Sequence, residues 1–160
     1  MEALTELYKF TKVYYEKKDQ VDEAKAAKEA EKDPKAKTDE SKNKDLKMAT
    51  GELEKDYPEV TKQLSAFIDQ NAGNNASGEA ALTLSEIYDT YNKPQEGAAA
   101  IDKVLGKWGT KNVLYYVMQM RAGDLYASSQ DCEKAISFWP LVANSKSFIA
   151  KQAQWKLGVC

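Results

Sequence analysis

Two stretches decide the fold: AALTLSEIYDTYNKPQEGAAAI at residues 80–101 and MQMRAGDLYASSQDCEKAISFW at residues 118–139. Slid by 38 positions they align without a gap. Ser85-Glu86-Ile87-Tyr88 falls on Gly123-Asp124-Leu125-Tyr126, Gly97-Ala98 on Ala135-Ile136, and Ile101 on Trp139. A third, partial copy follows 35 positions later, where Leu157-Gly158 matches Ala122-Gly123. Self-similarity at a fixed period marks a chain built from one repeated unit. Here the unit is a pair of helices, because apolar residues recur every three or four positions on both sides of a short polar turn.

Working outward, the spacing predicts helices over 78–91, from Pro94 to about 105, over 111–128, over 131–143 and over 147–160. Their apolar faces are Ala81, Leu84, Ile87, Tyr88 and Tyr91, then Ala98, Ile101, Val104 and Leu105. Next come Val113, Leu114, Tyr116, Val117, Met120 and Leu125, then Ala135, Ile136, Trp139 and Val142. The last face is Phe148, Ile149, Ala153, Trp155 and Leu157. Gly106, Gly109 and Thr110 punctuate, and NAGNNAS at 71–77 reads as a loop. The run Val113–Val117 has strand-like composition, but its periodic continuation and the lack of a pairing partner favour helix.

Toward the N-terminus the composition changes. Ala3, Leu7, Phe10 and Tyr14 form a helical stripe that continues to Val21 and Ala24, with Lys17 interrupting it. Residues 16–47 carry ten acidic and ten basic residues in 32 positions. Alternating signs favour a solvated helix laced with local ion pairs, the alternative being an electrostatic docking surface. Pro34 breaks it, and 33–41 reads as a turn. A second stripe, Leu46, Ala49, Leu53, Tyr57, Val60, Leu64 and Phe67, is spaced near 3.5 residues and predicts a helix packed along a partner, most simply the one at 2–31. A proline inside a straight helix costs about 3 kcal/mol. A break at Asp56–Pro58 is therefore expected, with Pro58 as the first residue of a new helix. The fold expected is all-α: a charged helical hairpin arm at 1–57, then antiparallel helix pairs over 58–160.

Composition narrows the function. The chain has 160 residues, room for one domain or a small domain with an arm. Its net charge is −2, and Arg121 is its sole arginine, which argues against a nucleic-acid binder. No apolar run is long enough to span a membrane. The absence of histidine removes Ser-His-Asp and Cys-His catalysis and His-ligated metals. Paired carboxylates such as Asp22/Glu23 and Glu52/Glu54 lie on solvated helices, where a raised pKa is implausible, and Cys132 has no candidate base. No catalytic residue, metal or cofactor is expected.

Cys132 and Cys160 lack metal spacing. If antiparallel helices turn at Asn144–Lys146, both cysteines stand at one height, and a disulfide between them stabilises by about 3–4 kcal/mol in the chain-entropy model. The alternative is two small buried hydrophobes. The N-terminus MEALTELYKF lacks the pattern of a signal peptide. Helical patterns already run at both ends, so the sequence reads as a piece of a longer protein, compatible with an anchor or export signal ahead of residue 1.

The repeat resembles the tetratricopeptide motif. That motif wants a small residue where two helices cross, an aromatic three later, an alanine nine further on, and a large apolar residue four beyond. Ser85, Tyr88, Gly97 and Ile101 take these roles in the first copy and Gly123, Tyr126, Ala135 and Trp139 in the second. Gly158 supplies the small position of the third. The period of 38 instead of 34, Ala81 and Gln119 in place of the usual tryptophan, and the missing closing proline mark the copies as degenerate. The layout from residue 55 on, with the phrase KDYPEVTKQLSAFIDQNAGNNASGEAALTLSEIY at 55–88, also resembles the soluble domain of the ancillary Sec-translocon subunit family, bacterial single-span membrane proteins with an extracytoplasmic repeat domain. The charged 16–47 stretch departs from that layout.

The resemblance implies a short solenoid whose first helices line a concave groove. By register the groove positions are Glu79, Leu82, Glu86 and Asp89 in the first copy, and Val117, Met120, Asp124 and Ala127 in the second. These residues do not make the cationic clamp that holds a C-terminal carboxylate. They would suit an apolar or basic segment of a protein partner, or else pack against a neighbouring helix or face water. The function expected is a non-enzymatic interaction scaffold on the extracytoplasmic, periplasmic side of a bacterial inner membrane, with the cytoplasm as the alternative compartment. The alternative function is a structural module that forms homo-oligomers through its amphipathic N-terminal helices.

Overall fold

A computed structural model describes residues 2–30, 50–112 and 114–160. The described residues form eight helices and no strand: α1 (Glu2–Ala30), α2 (Leu53–Asp56), α3 (Val60–Asn71), α4 (Asn75–Thr90), α5 (Pro94–Leu105), α6 (Tyr115–Ser128), α7 (Cys132–Ala143) and α8 (Ala150–Leu157). They divide into two compact units, residues 1–63 and 64–160. The expected domain division is at 57/58. The expected turn around Pro34, and the start of the second stripe at Leu46 and Ala49, lie outside the described residues.

In the first unit, α1 buries Leu7, Tyr14, Val21 and Ala24. Leu7, Tyr14 and Val21 are seven apart, one face of a helix packed along its length. The rings of Tyr14 and Tyr57 meet at 5.6 Å between centroids. Lys17, which interrupts the stripe, is half-buried and holds its ammonium 5.7 Å from the Tyr57 ring centre. Asp56 is fully buried. Its Oδ1 accepts from Thr50 N–H at 2.8 Å and Thr50 Oγ1 at 2.9 Å, and its Oδ2 accepts from Gly51 N–H at 3.1 Å. That carboxylate pins the turn before α2, where Gly51 takes a left-handed φ of +80°.

The break at the proline lies at residues 57–59, but Pro58 is not the first residue of the next helix. It sits in the turn, and α3 begins at Val60 with the first bond from Gln63 N–H to Glu59 O at 2.9 Å. Leu53, Tyr57, Val60, Leu64 and Phe67 are all buried, as their spacing predicts. The expected loop at 71–77 shrinks to 72–74. Asn74 caps α4 by accepting from Ser77 N–H at 3.0 Å, which lets the helix start at Asn75.

In the second unit the 38-residue repeat is written into the backbone. α4 and α6 end at Thr90 and Ser128. α5 and α7 begin at Pro94 and Cys132 and end at Leu105 and Ala143. Asn92 and Gln130, also 38 apart, are the two non-glycine residues with positive φ among those described, at 58° and 64°. In each turn the chain closes on itself identically: Lys93 N–H reaches Tyr88 O at 2.8 Å, and Asp131 N–H reaches Tyr126 O at 2.9 Å. This left-handed closure satisfies the last carbonyls of the first helix and folds the second helix back onto it. Pro94 then opens α5 at a position where no N–H is needed, and Asp131 caps α7 by accepting from Lys134 N–H at 3.1 Å.

The pairs close where the small residues sit. A Cβ on Gly97 would lie 3.1 Å from the Ser85 carbonyl oxygen, so α5 crosses α4 with glycine against backbone. At Gly123 a Cβ would overlap the Trp139 indole. In the second copy Gly123 faces Trp139, where the first copy has Ser85 and Ile101 at the aligned positions. Each helix from α4 to α8 packs on the next, and α4 also touches α6.

The remaining differences are local. α6 starts at Tyr115 instead of 111, because Asn112 Oδ1 captures Leu114 N–H at 2.9 Å and holds a turn before it. α7 continues through Pro140. The last helix covers Ala150–Leu157 instead of 147–160. Ala153 is its one buried residue, and Trp155 and Phe148 are exposed at 69% and 89% instead of packed.

Candidate functional site

The predicted groove positions lie on α4 and α6, the first helix of each pair, and α8 follows them as the first helix of the partial third copy. Ion pairs link these helices. Arg121 Nη2 on α6 lies 2.9 Å from Asp89 Oδ2 on α4, and Lys156 Nζ on α8 lies 2.9 Å from Asp124 Oδ1 on α6. Both pairs span 32 residues. Asp124 Oδ1 has no aligned hydrogen bond, so the ammonium meets it as a charge. Lys156 Nζ also stands 5.8 Å from the centre of the Trp139 ring, whose Nε1 has no hydrogen-bond partner.

Among the predicted positions, Glu79 is exposed, and Leu82, Glu86, Val117 and Ala127 are half-buried. Asp89 and Asp124 are half-buried and spent on the ion pairs. Met120 is 6% exposed and offers little surface. The structure joins Asp89 to α6 and Asp124 to α8. The other predicted positions share a register along α4 and α6.

Three residues of this face were missed by reasoning from periodicity. Arg121 and Lys156 are the counter-ions. Trp155 lies 35 positions after Met120, the offset of the third copy, and so takes the same helix position as Leu82 and Met120. The offset that aligns Gly123 with Gly158 would have found it. Its apolar character instead suggested a buried place.

Cys132, the first residue of α7, is bonded to Cys160 beyond α8, with the two Cα atoms 5.5 Å apart. The bond and Gln154 Nε2, which donates to Ala143 O at 3.1 Å, tie α8 to α7.

A second polar cluster links α5, α6 and α7. Tyr126 Oη donates to Asp102 Oδ2 at 3.2 Å, Phe138 stacks on the Tyr126 ring at 5.5 Å, and Lys134 Nζ lies 5.1 Å from its centre. Burial pushes the Asp102 carboxyl above its usual range, and the Tyr126 hydrogen bond and the Lys134 charge oppose that push. Burial, then the Asp102 charge and hydrogen bond, raise the Tyr126 phenol. In the first unit, burial, then Tyr14, Asp22 and Asp56, hold Tyr57 well above its ordinary value against the pull of Lys18. Each group is wedged among helices, where it cements packing.

Among the described residues no group of three or more His, Cys, Asp or Glu side chains is gathered as metal ligands, and no helix is long and apolar enough to cross a membrane. Compared with protein-family models, curated proteins and solved structures, the chain matches none of them.

Proposed function

We propose that this chain is a non-enzymatic protein-interaction scaffold: a charged helical arm followed by tetratricopeptide-like helix pairs whose first helices present a binding face. The observation that carries the reading is that Leu82 on α4 and Trp155 on α8 share one helix position, a row in which the buried Met120 of α6 stands between them in sequence, and that Trp155 is 69% exposed. Tryptophan is enriched among residues that dominate binding energy, since it brings a large rigid area at little entropic cost. Of the four acids beside the row, Asp89 is paired with Arg121 and Asp124 with Lys156, while Glu79 is exposed and Glu86 half-buried. The row suits an apolar segment of a partner, with Glu79 placed to meet a basic residue at its edge. The Cys132–Cys160 bond supports an oxidising compartment, in keeping with an envelope-associated assembly.

The test is capture of partners from source cells by wild type and by Leu82→Asp with Trp155→Ala. Trp155 is exposed and Leu82 half-buried, so neither substitution replaces a fully buried side chain. Partners lost with the variant support the reading; the same set retained refutes it.

A second reading, self-association through the N-terminal helix, has its own observation. Leu4, Tyr8 and Tyr15 are exposed along α1 at spacings of four and seven. A solution mass that rises with concentration, and falls back in Tyr8→Glu, would favour it. A constant monomer mass would exclude it.

A further inference from the structure

α8 is weakly held by everything except its covalent tie. It spans eight residues, shorter than a helix that persists alone in water. Ala153 is its one buried side chain, whereas α5 buries six of its twelve residues. Among the described residues its polar ties are one hydrogen bond, Gln154 to Ala143 O, the Lys156 ammonium 5.8 Å from the Trp139 ring centre, and the half-buried Lys156–Asp124 pair, an interaction of a kind that stabilises little where water reaches it. The Cys132–Cys160 bond therefore carries much of the docking. Cys160 is exposed and Cys132 half-buried, so the bond is open to attack by an incoming thiolate.

We propose that this disulfide is a reducible latch: it holds α8 against α7, and its reduction releases α8. As regulation of the binding face the inference rests on the scaffold reading; the latch itself does not. A dithiol reductant supplies the chemistry. Its thiolate attacks the Cys160 sulfur, the S–S bond breaks, and Cys132 leaves as a thiolate that takes a proton from water. The second thiol of the reductant then displaces Cys160 by closing a disulfide of its own. The chain gains two electrons and two protons, and the reductant loses them. Release withdraws Lys156 from Asp124 and removes Trp155 from its row, so the face loses its exposed aromatic and regains a free acid.

The experiment is hydrogen exchange read by mass spectrometry on the full chain, before and after dithiothreitol, with free thiols counted in both states. The oxidised protein is expected to show no free thiol. Reduction is expected to speed exchange at 150–157 by about tenfold or more while α4 and α5 keep their protection. Cys132→Ser with Cys160→Ser should reproduce the fast state without reductant. Any of three results overturns the latch: two free thiols in the air-oxidised protein, unchanged exchange at 150–157 after reduction, or loss of protection from α4 to α8 together. Partner capture is read separately on oxidised protein, so either reading can fail without the other.

Discussion

Gly123 leaves the space that the Trp139 indole fills: a Cβ built on the glycine would stand 2.7 Å from Cδ1 of the ring. Trp139 is buried and cannot swing into solvent. Gly123→Ala should therefore destabilise by about 1–2 kcal/mol, overpacking outweighing the gain in helix propensity. The first copy holds Ile101 where the second holds Trp139. In a Trp139→Ile background the clash is gone, and Gly123→Ala should become neutral or stabilising by up to about 1 kcal/mol. Urea denaturation of the four proteins checks this, and equal effects in both backgrounds would refute the coupling.

Asp102 gives the chain a pH-dependent term. Its folded pKa is raised, chiefly by burial, so in the window above the ordinary carboxyl value of about 4 the native state holds a proton that the unfolded state has released. Stability from this group is present below the unfolded pKa and is lost as pH rises through the folded one. Asp102→Asn keeps an acceptor for Tyr126 and removes the titration. It should raise the melting temperature relative to wild type at pH 7, and the advantage should vanish at pH 3. A constant difference at both pH values would show that Asp102 does not titrate in this way.

Asp56 takes three hydrogen bonds from Thr50 and Gly51 inside a fully buried site. Asp56→Ala leaves those donors unpaired and should cost about 2–3 kcal/mol. Exchange at residues 50–57 should accelerate while α5 is unaffected. Unchanged protection at 50–57 would contradict the assigned role.

The Lys156–Asp124 pair is half-buried and screened, so its coupling should be modest. A double-mutant cycle with Lys156→Met and Asp124→Asn is expected to give about 0.5–1 kcal/mol, shrinking in 1 M salt. A coupling indistinguishable from zero at low salt would remove the pair from the account of how α8 docks.

Much of the second unit is legible in the sequence because the same signals occur twice at one offset. Ser85 and Gly97, Gly123 and Trp139, and the turns before Pro94 and Cys132 announce their helix pairs through size and propensity. Other features rest on interactions that periodicity does not encode. The 71–77 loop contracts because one side chain, Asn74, caps a helix through a local hydrogen bond. Pro58 sits in the turn ahead of its helix, whose first bond runs from Gln63 N–H to Glu59 O. Arg121 and Lys156 find their acids 32 residues away, across helices. Trp155 and Phe148 look like core in a short amphipathic pattern, yet α8 buries little more than Ala153. Of the eight positions expected in the groove, register places all on α4 and α6, but burial takes Met120 out of reach and ion pairing occupies Asp89 and Asp124.

The proposed scaffold role requires that the row through Leu82 and Trp155 touch a protein partner. The most direct measurement places a photo-crosslinking benzophenone amino acid at position 82, at position 155, or at Ile136, which is exposed on α7 outside the row, in the full chain in source cells. One shared crosslinked partner is expected from 82 and 155 and none of it from 136. No crosslink from 82 and 155, or the same set from all three positions, would contradict it.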